Sequence, residues 1–177
     1  MASKLVLQIY RRSNKAFTLI ELMIAVVIIG VLAAIALPNF IGAQLRAKAV
    51  AVKANMRTTQ IAAENYAIDS AGSYPAIGSD YRPYLPGGSN SMGGSPGSYP
   101  NNPVTGVMNE QPVNAGPNSS AGIIAARQTD AVTVQVPPGK VTFRQADNGD
   151  SYAVAGGDPN GFAISGLNGK VLILSNQ

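Results

Sequence analysis

From Phe17 to Leu37 the chain is apolar or small at every position except Thr18 and Glu21. As a helix this run spans about 30 Å, the thickness of one bilayer core. A carboxylate near its start is costly in lipid, so burial alone does not account for Glu21.

Charge placement gives the segment a direction. Residues 1–16 contain Lys4, Arg11, Arg12 and Lys15 and no acid, so they carry the whole formal charge of +4. The rest of the chain has nine basic and nine acidic residues and is neutral. The basic leader is expected to stay in the cytoplasm, and the chain beyond the apolar run to lie outside it. The high isoelectric point therefore lends no support to nucleic-acid binding by the remainder. There is no cysteine and no histidine. That leaves no disulfide framework, thiolate zinc site, cysteine nucleophile or imidazole base. An enzyme would need a Ser–Lys pair or two converging carboxylates, and no spacing brings such groups together. The chain is read as a non-enzyme with no cofactor.

Five segments emerge from the pattern. Residues 1–16 are a leader and 17–37 an apolar helix. Residues 38–71 continue it as an amphipathic helix, with a kink expected near Pro38, which removes one backbone hydrogen bond. Phe40, Ile41, Leu45, Val52, Met56, Ala63 and Tyr66 form its apolar stripe. Gly72 closes the helix. Residues 72–120 are rich in Gly, Pro, Ser and Asn, with Tyr74, Tyr81, Tyr84 and Tyr99 among them. Such composition reads either as disorder or as an ordered loop, each ring packed and its hydroxyl at the surface. Residues 121–177 read as an antiparallel meander of four or five strands. Val132, Val134 and Val136 share one face of a strand over Ala131–Val136, and Asn148-Gly149 and Asn168-Gly169 mark hairpins. Gly122–Arg127 is open between strand and helix. The fold class is α+β, a long helix packed on an antiparallel sheet.

Ala16-Phe17-Thr18-Leu19-Ile20-Glu21, the apolar run with Gly30, and Pro38-Asn39-Phe40 together resemble the class III signal of type IV pilins and type II secretion pseudopilins. The resemblance covers about the first 45 residues; beyond them only the architecture is similar. It implies that a membrane prepilin peptidase cuts between Ala16 and Phe17 and N-methylates Phe17. Position 16 is Ala where the family usually has Gly, and the leader is longer than in the commonest pilin subgroup, which Phe17 suits. In the family, the glutamate equivalent to Glu21 pairs with the N-terminal amine that cleavage uncovers. Opposite charges in an apolar bundle attract strongly and either alone is penalised, so Glu21 is expected to set assembly register. The competing reading of Glu21 is an incidental carboxylate that snorkels to water. Gly30 and Pro38 bracket a weakened stretch of helix, which related filaments unwind on assembly; simple tolerance of both residues in membrane helices is the other reading.

The resemblance implies a structural subunit of a type IV pilus. Its partners would be copies of itself, the peptidase, an inner-membrane assembly platform and, before assembly, lipid. The precursor would sit in the inner membrane and the product in an extracellular filament or periplasmic pseudopilus. A type II secretion pseudopilin is the alternative, and a Sec signal cut after Ala34-Ile35-Ala36 a remote one. The missing copy of the Gly- and Asp-rich calcium loop common in major pseudopilins favours the pilus.

Arg46, Lys53 and Arg57 recur at seven- and four-residue steps, with Lys48 nearby. This face is read as a subunit or lipid contact, or as merely solvated; without interleaved aromatics it is a poor nucleic-acid surface. Asp147, Asp150 and Asp158 are oxygen-rich candidates for calcium, but lie in turns that Asn, Asp and Gly already explain. Asn118-Ser119-Ser120 matches a glycosylation acceptor pattern, too short to carry weight alone.

Overall fold

The computed structural model describes residues 16–78 and 80–177. The expected leader, save Ala16, lies outside the described residues. The chain divides into two units, one through Ile41 and the other Gly42–Gln177.

The first unit holds the start of helix α1, which runs Leu19–Asp69. Its large apolar side chains are all exposed, from Phe17 through Ile41. The helix has the length and composition to cross a membrane, and none of its most apolar window is buried. Helical hydrogen bonding continues past Gly30 and Pro38. Pro38 has no N–H to offer Ala34. The next residue supports the neighbouring turn, Asn39 Nδ2 donating to the Ile35 carbonyl at 3.2 Å.

In the second unit the amphipathic part of α1 buries Val52, Met56, Thr59, Ala62, Ala63 and Ala67. Steps of three and four residues put these on one face. The buried stripe thus begins at Val52; Phe40, Ile41 and Leu45, expected on it, are exposed. The helix ends in a left-handed closure, with Ala71 and Gly72 at positive φ and the Gly72 N–H donating to the Ala67 carbonyl at 2.8 Å.

The sheet is antiparallel, as expected, but smaller. Two strands, β1 (Val141–Ala146) and β2 (Ser151–Gly156), pair from Val141↔Gly156 to Ala146↔Ser151. The remaining expected strands appear as isolated bridges, including Val154↔Leu174, Gly157↔Ala163 and Ser165↔Val171. Pro137, Pro138 and Pro159 cannot donate to a ladder, and Gly139, Gly161 and Gly169 turn the backbone at positive φ. Each pairing therefore stops after about one residue pair. The strand expected over Ala131–Val136 is instead a 3₁₀ turn at Ala131–Thr133. Thr133 closes it, its N–H and hydroxyl both bonding the Asp130 carbonyl. The three valines do not share a face: Val132 is 71% exposed and Val136 6%. The undecided stretch is helix α2, Ser120–Gln128, capped by the Ser119 hydroxyl, which accepts from the Gly122 N–H.

β1 and β2 are buried on both sides. Phe143, Tyr152 and Val154 pack with Met56 and Ala63 of α1, and with Tyr81, Tyr84, Leu85 and Tyr99 of the long loop. Ala146 and Ala153 belong to a second cluster with Ile123, Val136, Ala163, Val171 and Ile173. Gly156 sets how close the sheet comes to the helix. A Cβ there would lie 2.7 Å from Val52 Cγ1 and 2.8 Å from Met56 Sδ.

The long loop is packed through its tyrosines. Tyr81 meets Phe143 at 4.9 Å between ring centroids, Tyr74 meets Tyr152 at 4.6 Å, and Tyr84 lies edge-on to Tyr66 at 6.0 Å. The expectation of surface hydroxyls fails at Tyr81, whose hydroxyl is buried and lacks a hydrogen-bond partner among the described residues. Two others reach acids on α1, as Tyr74 donates to Glu64 at 3.0 Å and Tyr84 to Asp69 at 2.6 Å.

Candidate functional site: the helix start and the basic face

Phe17 is 88% exposed and precedes the first helical residue by two positions. Thr18 and Glu21 close a reciprocal cap on the helix start. The Glu21 N–H donates to the Thr18 hydroxyl oxygen at 3.3 Å. In return, Glu21 Oε2 accepts from the Thr18 N–H at 3.0 Å and from its hydroxyl at 2.8 Å. Two otherwise unpartnered N–H groups are satisfied, and a negative charge sits where the helix dipole favours one. Reasoning from sequence singled out Glu21 and passed over Thr18. The signal was present, since Thr-x-x-Glu before an apolar run is a helix-start signature.

Apart from the adjoining residues and backbone of its own helix, no described atom would lie within 4 Å of a Cβ built on Gly30. Its lack of a side chain therefore meets no packing need within the single chain. Arg46, Lys53 and Arg57 are exposed. Arg57 donates to Gln60 Oε1 at 2.6 Å. The ion pairs among the described residues are Lys140–Glu110 and Lys170–Asp130, so none of the three has an acidic partner there.

The oxygen-rich turns use their carboxylates internally at two of the three positions. Asp147 Oδ2 accepts from the Ser120 N–H and hydroxyl and from the Ser151 hydroxyl at 3.0 Å. These bonds hold its carboxyl below the usual carboxylate range. Asp158 Oδ1 accepts from the N–H groups of Asn160 and Phe162 at 2.8 and 2.9 Å. The third, Asp150, lies exposed at the end of its turn. Among the described residues no three His, Cys, Asp or Glu side chains cluster as a metal site would require. Hydrogen bonds within and beside the turns occupy the carboxylates of Asp147 and Asp158. The glycosylation pattern likewise overlaps structural positions, because Ser119 caps α2 and Ser120 bonds Asp147.

Residues 11–37 match the family profile described as the prokaryotic N-terminal methylation motif. The matched stretch covers the apolar helix start and is similar to the N-terminal segments of pilin and pseudopilin subunits. The chain is 53% identical over 53 residues to the type IV major pilin protein PilA of Myxococcus xanthus, a stretch covering 30% of this chain and 24% of that protein. It is 36% identical over 66 residues to the type II secretion system core protein G of Pseudomonas aeruginosa, covering 37% and 46%. It is 42% identical over 59 residues to the type IV wide pilus major component PilA4 of Thermus thermophilus, covering 33% and 45%. The chain thus spans a quarter to just under half the length of these relatives. No solved structure matches. The prepilin-type motif takes in Phe17, Thr18, Glu21 and Gly30, all on the uncovered first unit.

Proposed function

We propose that this chain is a structural subunit of a type IV pilus. It is made as a membrane-inserted prepilin, cut between Ala16 and Phe17, N-methylated at Phe17 and packed into a helical filament. The observation that carries this reading is the bare apolar surface of the first unit, joined to a prepilin-type motif. So long an exposed apolar helix needs a cover, and lipid supplies it first and copies of the chain afterwards. Between two apolar covers the hydrophobic gain nearly cancels, so packing and paired charge must favour the move. Glu21 and the amine uncovered at Phe17 supply the pair. The cap with Thr18 supports this role, because it gives the carboxylate hydrogen-bond partners before the amine reaches it.

The basic leader places the N-terminus in the cytoplasm, and a prepilin peptidase and an inner-membrane assembly platform are the implied partners. Gly30 and Pro38 would let the helix loosen as it packs. Arg46, Lys53 and Arg57 would serve contacts of the second unit.

A type II secretion pseudopilin is the second reading, favoured by the 66-residue similarity to core protein G. Deleting the gene separates the two. Loss of surface fibres with exoprotein release intact is the result expected for a pilus subunit. Loss of exoprotein release with fibres intact would overturn it in favour of the pseudopilin.

A further inference from the structure

The second unit contains a cleft of about 250 Å³ between α1 and the segment 158–165. Leu45 and Ala49 of α1 and Phe162 of the facing segment form apolar walls, and Arg46 and Lys53 bring two cations. The acid lining the cleft, Asp158, is held in its own turn by Asn160 and Phe162. Two cations in a cleft with one committed carboxylate leave an unmatched positive charge beside apolar surface.

The acids of the second unit show what could match it. Glu64 accepts from Tyr74 and Tyr152, and Asp69 from Tyr84. Asp80 accepts from the N–H groups of Ala76 and Ile77. Glu110 and Asp130 are ion-paired with lysines. Asp147 is bonded by Ser120 and Ser151. Among the described residues Asp150 alone has a carboxylate with neither an ion pair nor a hydrogen bond. It is exposed, and it ends the β1–β2 turn, which Asn148 and Gly149 build at positive φ.

We propose that the β1–β2 turn of one copy docks in this cleft of the next, Asp150 lying between Arg46 and Lys53. The occupant is a second copy of this chain, and the proposal rests on the filament reading above. Charge complementarity argues for it: the cleft has two cations, neither ion-paired among the described residues, against the one carboxylate of Asp158, and the turn has the spare carboxylate. So does symmetry. Turn and cleft are different surfaces of one unit, so the contact is head-to-tail, and such contacts propagate into helical filaments where the rotation does not close a ring. An exposed ion pair of this kind fixes register and discriminates partners more than it adds affinity.

The chain has no cysteine, which makes the contact directly testable in the full-length protein. Lys53→Cys and Asp150→Cys would be combined, and sheared filaments treated with a short bis-maleimide crosslinker. The double variant is expected to give a ladder of dimers, trimers and higher species, and each single variant no ladder. In parallel, Asp150→Arg should lower filament yield, and combining it with Arg46→Asp and Lys53→Asp should restore it. Wild-type filaments with no ladder in the double variant would overturn the contact while leaving the filament reading intact. Loss of yield on charge reversal at Arg46 and Lys53, with no recovery from Asp150→Arg, would overturn it in favour of a lipid phosphate as occupant. Failure of the wild type to form any filament would overturn the filament reading and this contact with it.

Discussion

Thr18 and Glu21 show how one side chain can serve a fold and an assembly in turn. In the single chain the Glu21 carboxylate is bonded to Thr18 and completes the helix start. In the proposed filament it meets the amine of Phe17. The two roles respond differently to substitution. Glu21→Ala should still insert and be cleaved, but should assemble poorly, because an amine in an apolar bundle would be left unpaired. Thr18→Ala weakens only the cap, worth about 1 kcal/mol, and leaves the charge in place. Filament yield per processed subunit is the measurement. A clear fall for Glu21→Ala and a smaller one for Thr18→Ala are expected, and normal yield from Glu21→Ala would contradict the role given to it.

At the scale of elements, α1, the long loop and the β1–β2 hairpin are joined by tyrosines. Burial pushes the Tyr152 hydroxyl up, and the Glu64 carboxylate that it bonds adds to this. Burial and the Asp69 carboxylate push Tyr84 up to about 12. A tyrosine whose folded pKa is raised holds its proton more tightly in the folded chain than in the unfolded one. Its contribution is complete below the unfolded value, near 10, and is lost as pH rises through the folded value. The second unit should therefore keep its stability up to about pH 10 and lose the Tyr84 contribution to it between there and about pH 12. Melting temperature against pH, tracked together with tyrosinate absorbance, tests this. Tyr84→Phe should flatten the alkaline fall, and absorbance that rises well before unfolding would contradict the account.

The parts of this architecture legible in the sequence are those set by local pattern. The 3.6-residue period gave α1 to within a residue or two of its end, and Asn148-Gly149 marked the β1–β2 turn. The outer strands were not legible, because valine alternation over Val132–Val136 competes with the Thr133–Asp130 turn and with prolines on both sides of the expected pairings. Nor was the start of the buried stripe, since Leu45 and Val52 look alike in sequence and only tertiary packing separates them. At the helix start, Glu21 stood out as a charge in an apolar run. Thr18 did not, because its part depends on reading the two residues together. The fates of Asp147, Asp150 and Asp158 depend on their surroundings in the fold, such as Ser120 for Asp147, and no local motif announces them.

Across the whole molecule, the central claim is that the apolar segment is kept intact as a filament core and begins at Phe17. A secretory signal would be removed within that segment, and a plain membrane anchor would keep the basic leader attached. Mass analysis of the N-terminus of the mature protein distinguishes these outcomes directly. The account predicts a chain that starts at Phe17 and carries one methyl group on its α-amine. A chain starting at Leu37, or one retaining residues 1–16, would contradict it.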